Sequence, residues 1–156
     1  MKSNYENGMS WARLGAIKEA EEYLTLAIKD LNTGVETKIN HSMVIYPLCL
    51  LKLVVGDFKG YSQYVERAND KGYLNPTHHA ILNNIVPLVS GKELHEVDII
   101  SICQYLETLQ IGAFLISLGV NPDQWYTQKQ CESFQEKMFL LRTFVLWNLD
   151  PLLIPN

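Results

Sequence analysis

The chain is 156 residues long, 47% hydrophobic and 19% charged, with nine Gly, six Pro and three Cys. That length and apolar content fit one globular domain, residues 1–156, and exclude wholesale disorder. Thirteen basic against seventeen acidic side chains leave a formal charge of −4, which excludes a general nucleic-acid binder, since phosphate neutralisation needs a basic surplus.

In chain order, Met1 to Ser10 is polar and carries no apolar core of signal-peptide type, so a cytoplasmic protein is expected. Trp11, Leu14, Ile17, Ala20, Leu24, Ala27, Ile28 and Leu31 then recur at steps of mostly three and four. They lay an apolar stripe along a helix, with Ser10 as N-cap and Gly34 as the stop. Phe58, Tyr61, Tyr64, Val65 and Ala68 make a shorter stripe that ends before Gly72. Asn75-Pro76-Thr77 starts a further helix running to Gly91, which Pro87 bends or ends early. Val97 to Leu118 is another apolar-periodic run, interrupted near Gly112, and Asn121-Pro122-Asp123 opens a last helix from Gln124 to Trp147. Beyond it, Leu152, Leu153 and Ile154 are costly to leave in water, so they either cover the last hairpin or form a contact patch.

Alternating strand patterns are absent, and the pattern predicts an all-α chain of six or seven helices. The longest segment free of Asp, Glu, Lys and Arg, Gly72 to Gly91, contains His78, His79, Asn83, Asn84 and two prolines, so no membrane span is expected. Cys49, Cys103 and Cys131 are odd in number, far apart and set in apolar stretches, which predicts reduced, buried thiols rather than disulfides.

A repeat search adds to this. Leu14-Gly15, Glu19-Ala20, Tyr23-Leu24 and Ala27-Ile28 lay over Val55-Gly56, Gly60-Tyr61, Tyr64-Val65 and Ala68-Asn69 at a constant offset of 41 residues. Gly15 and Gly56 mark sharp helix-to-helix turns, and Ala27 and Ala68 mark close helix approach. Both segments resemble the second half of a tetratricopeptide-type helical hairpin, in which a Gly ends one helix and small residues pack the next. The first copy has Ala20 and Ala27; the second has Tyr61 in place of the first alanine, and Ser90-Gly91 could begin a third copy without the alanines. The offset departs from the usual repeat of about 34 residues, so the expected architecture is a stack of irregular antiparallel helical hairpins. The resemblance implies recognition of a protein or peptide rather than catalysis.

Few residues form a pattern that carries chemistry. His78, His79 and His95 are the only concentration of imidazole, with Glu93 and Glu96 beside His95. A metal-dependent or ligand-binding enzyme built on them is one alternative, although adjacent histidines point about 100° apart on a helix and only one of the pair could join His95. No Gly-x-Ser-x-Gly, phosphate-binding Gly-rich loop or Cys-x-x-Cys occurs, so no catalytic residue, metal or cofactor is assigned.

Charge is divided unevenly: residues 1–75 hold nine basic and nine acidic side chains, and residues 76–156 hold four and eight. Glu93, Glu96, Asp98, Glu107, Asp123, Glu132 and Glu136 lie in a stretch whose only basic residue is Lys129. With Trp125 and Tyr126 as aromatic anchors they form the candidate partner-binding set, suited to a basic protein. Arg142 is expected to pair with a carboxylate of a neighbouring helix. In size, charge and class the chain is similar to the helical immunity proteins of bacterial toxin systems. That likeness implies binding and neutralisation of one cognate toxin or effector domain; a tetratricopeptide-like adaptor or chaperone for a peptide is the rival reading.

Overall fold

The computed structural model describes residues 2–111 and 133–149, the side chains of Gln110, Ile111 and Trp147 apart. Among them are seven α-helices and no strand: α1 Asn4–Arg13, α2 Ile17–Asn32, α3 His41–Val54, α4 Phe58–Lys71, α5 Pro76–Val89, α6 Ile99–Leu106 and α7 Phe134–Leu149. A short 3-10 turn, Leu94–Glu96, precedes α6, and a π-helical segment, Glu107–Ile111, follows it. No described helix is long and apolar enough to cross a membrane.

The sequence expectation of one helix from Trp11 to Leu31 is corrected. The chain turns at Leu14–Ala16, and the first helix starts earlier, capped by Ser3, whose Oγ accepts from Glu6 N–H at 3.1 Å. The stripe runs through the turn unbroken because Leu14 and Ile17 keep the three-residue step. Gly15 breaks the helix with φ 80°, a left-handed conformation that L side chains avoid. Gly15 N–H donates to Ala12 C=O and Ala16 N–H to Trp11 C=O. The turn between α3 and α4 repeats both bonds: Gly56, at φ 78°, donates to Leu53 C=O and Asp57 N–H to Lys52 C=O. Links of three residues fold each pair of helices back on itself as a hairpin.

Within the first hairpin, Ala12 of α1 and Ala20, Leu24 and Ala27 of α2 are buried. Gly8 lets α1 lie close to α2, since a Cβ there would meet Leu24 Cγ at 2.8 Å. In the second hairpin, Phe58, Tyr61, Val65 and Ala68 form the buried stripe of α4. Asp57 caps α4 by accepting from Gly60 N–H at 2.9 Å, and left-handed Gly72 ends it.

The centre of the core is α3, which is buried from Val44 to Leu51 and again at Leu53. Such a helix is apolar on every side and shows no stripe. It packs against α2, α4, α5 and α7.

Asn75 caps α5 as expected, its Oδ1 accepting from His78 N–H at 2.7 Å, with Pro76 at the first helical position. Pro87 does not end the helix, which continues to Val89, because it stands in the last turn. α6 starts at Ile99 rather than Val97, capped by Asp98. The described helix that runs to Leu149 begins at Phe134, where Ser133 Oγ accepts from Glu136 N–H at 3.1 Å and forms a cap; the expected start at Gln124 lies outside the described residues. α7 then returns across α1, α3 and α6. Gly112 through Glu132, with Cys131 and the Asn121-Pro122-Asp123 signal, and the Pro151–Asn156 end lie outside the described residues. Cys49 and Cys103 are buried, and burial pushes the Cys49 thiol up to about 12, so it stays protonated and unreactive.

Candidate functional site

Of the acidic candidates, Glu93, Glu96 and Asp98 are exposed on the segment joining α5 to α6. Each carries a local structural duty. Glu96 Oε1 accepts from Glu93 N–H at 3.1 Å, closing the 3-10 turn. Asp98 accepts from Ser101 N–H at 3.2 Å and from Ser101 O–H at 2.7 Å. The Ser101 hydroxyl, outweighing a small burial effect and helped by Lys137, holds the Asp98 carboxyl below its ordinary value. Glu136 accepts from Ser133 O–H in the first turn of α7, also exposed.

Glu107 differs. At 2% exposure it belongs to the interior, at the start of the π-helical segment, and presents no carboxylate to solvent. Asp123, Trp125, Tyr126 and Glu132 lie outside the described residues. Lys137, one residue past the stretch read as nearly free of cations, acts on Asp98 and makes this surface mixed rather than purely acidic.

A groove of about 670 Å³ runs beside the same segment, between the first half of α4 and the chain from Val89 to Leu94. Its wall charges nearly cancel: Asp57, Glu66 and Glu93 face Lys59 and Lys92. Leu94 is exposed at its rim, and Ser62 Oγ is buried without a hydrogen-bond partner among the described residues.

The imidazoles do not gather. Among the described residues no group of three or more His, Cys, Asp or Glu could hold a metal ion. His79 and His95 are exposed. His78 instead packs on α3: its ring stacks on Tyr46 with centroids 4.1 Å apart and planes 7° from parallel, and Nδ1 lies 2.7 Å from Ser42 Oγ. A second stack of the same geometry joins His41 to Tyr73.

Sequence reasoning missed another surface. Leu14 and Val55, the residues just before the two turn glycines, are 77% and 54% exposed, and Phe139 of α7 is 72% exposed. Both turns lie against α7, the helix that carries Phe139. Arg142 Nη2 donates to Gly15 C=O at 3.0 Å, and Met138 Cε would lie 3.6 Å from a Cβ on Gly56. Arg142 therefore donates to a turn carbonyl just beyond the C-terminal end of α1, and among the described residues it forms no ion pair with a carboxylate. The periodicity places Leu14 in the apolar stripe; the signal for its exposure is its place directly before a helix-breaking glycine.

Compared with family models, with curated proteins and with solved structures, the chain finds no match in any of the three.

Proposed function

We propose that the protein is a non-catalytic protein-binding module that captures and neutralises one partner, a cognate toxin or effector domain of the kind blocked by helical immunity proteins. The observation that carries the reading is the exposure of Leu14 and Val55 on the Gly15 and Gly56 turns and of Phe139 on α7, the helix that contacts both turns. Large apolar side chains held outward on rigid elements supply binding energy when a partner dehydrates them. Glu93, Glu96 and Asp98 contribute charge that speeds encounter with a basic partner, an effect that salt screens over roughly 8 Å.

The experiment is affinity capture with the wild-type chain and with a Leu14→Ser, Val55→Ser, Phe139→Ser triple variant, followed by reconstitution with the purified partner. The expected result is a partner whose activity is inhibited on binding, and whose dissociation is at least tenfold faster from the triple variant. An unchanged off-rate removes the turn face as the interface, and a bound partner that stays fully active removes neutralisation.

A second reading, a tetratricopeptide-like adaptor for an extended peptide, is favoured by the groove between α4 and Val89–Leu94 and by the matching bonds of the two turns. A Ser62→Trp substitution filling the groove would abolish binding under this reading and leave it intact under the first.

A further inference from the structure

The N-terminal end of α5 is fastened to α3 through one buried hydroxyl. Ser42 is 2% exposed, and its Oγ accepts from Asn75 N–H at 2.9 Å while lying 2.7 Å from His78 Nδ1. A hydroxyl has one proton to give. Asn75 N–H takes one lone pair of Oγ, and among the described residues Nδ1 is the one acceptor bonded to the hydroxyl; with the O–H donating to Nδ1, the ring's own proton lies on Nε2. The hydroxyl proton keeps this acceptor only while His78 is neutral.

We infer that His78 is an acid-operated latch on the α3–α5 seam: neutral, it closes the seam at Ser42 and Tyr46; protonated, it releases the first turn of α5 with the Tyr73–Asn75 link.

Several features make the cation unwelcome. A protonated Nδ1 takes away the acceptor of the Ser42 hydroxyl proton, which is buried with Ser42. His78 is the third residue of α5, where the positive end of the helix dipole repels a cation, and the first turn of α5 contains no acid. The surroundings offer no carboxylate among the described residues. Ser42 and Tyr46 face the ring from α3, Asn75 faces it from the link, and Tyr46 is itself held neutral by burial. Asp70 and Lys71 end α4 exposed, His41 of α3 stacks on Tyr73 of the link and lies 2.8 Å from Asn32 Oδ1, His79 is exposed on α5, and Tyr105 of α6 is bonded to Asn84; none of them is bonded to His78.

Burial, opposed in part by a backbone hydrogen bond to Ser42, accordingly holds the imidazole below its ordinary 6.5. The folded ring thus binds its proton less readily than the unfolded one. The latch's contribution is complete above the unfolded value of 6.5 and is lost as pH falls through the lower folded value.

The test is nuclear magnetic resonance of the full chain from pH 8 to pH 4.5, following the His78 ring and amide exchange corrected for intrinsic rates. The expected result is an Nε2–H tautomer at neutral pH, ring titration below 6.5, and faster exchange of residues 75–80 over the same range. Exchange should accelerate about tenfold for each pH unit by which opening raises the ring's pKa. Exchange in α2 should stay level. His78→Phe keeps the stack and should abolish the step; Ser42→Ala keeps the imidazole and should move the ring's midpoint upward. If His78→Phe fails to fold, the wild-type tautomer and the Ser42→Ala midpoint still decide. Ring titration at or above 6.5, an Nδ1–H tautomer, or acceleration spread evenly into α2 would overturn the latch.

Discussion

The α1–α2 and α3–α4 hairpins obey the same backbone rule and reach different ends with it. Their turns make the same pair of hydrogen bonds around a left-handed glycine, and the matched positions Ala20 and Tyr61, Leu24 and Val65, Ala27 and Ala68 are all buried. Yet the first hairpin uses small residues to bring its own two helices together, Gly8 against Leu24 above all. The second uses Tyr61 to reach outward, its O–H donating to Leu82 C=O of α5 at 2.6 Å. The lesson is a division of labour: local sequence sets the turn, and the size of one side chain decides which helix comes next.

The largest expected effect comes from removing that reach. Tyr61→Ala should lower stability by about 3–5 kcal/mol, whereas Tyr61→Phe, which loses only the bond to Leu82, should cost about 1 kcal/mol. Urea midpoints at constant slope measure both. If Phe proves as harmful as Ala, the hydroxyl and not the ring holds α5.

Next come the turns. Gly15→Ala and Gly56→Ala should each cost about 1–2 kcal/mol for the left-handed backbone alone. A Cβ at Gly56 meets Met138 in ordinary contact, but at Gly15 it lands on Arg142 Nη2, so the Gly15 variant also loses the Arg142 bond to the turn. Pairing each with Arg142→Ala should shrink the gap between the two; a gap that persists would place the difference in the backbone.

The smallest effect on stability belongs to the residues before the glycines. Leu14→Ser and Val55→Ser each should stay within about 0.5 kcal/mol of wild type. A larger loss at either would mean that the exposed side chain braces the fold and is not held out for a partner.

Legibility followed the reach of each signal. Gly34, Gly72 and the Asn75-Pro76 cap act through neighbouring residues and could be read directly. The Gly15 turn was legible from the offset alignment and hidden from the periodicity, because Leu14 and Ile17 keep step across it. No stripe marks α3, since burial on every side erases the contrast between faces. His78 was visible only as half of a His pair; its partner Ser42 is 36 positions away. The exposed acids were visible as a run, but burial of Glu107 and the approach of Lys137 are products of packing.

The return of α7 onto α3 has a consequence for the order of assembly. About 80 residues separate the end of α3 from the start of α7, and a ribosome adding 5–20 residues per second takes roughly 4–16 s to cover them. Throughout that interval α3, the described helix with the most buried residues, is out of the tunnel without the neighbour that will cover it. The early hairpins can close on local contacts, but the nascent chain carries an uncovered strip of α3 for seconds. Faster elongation through this region would shorten the window for aggregation, and a pause would lengthen it.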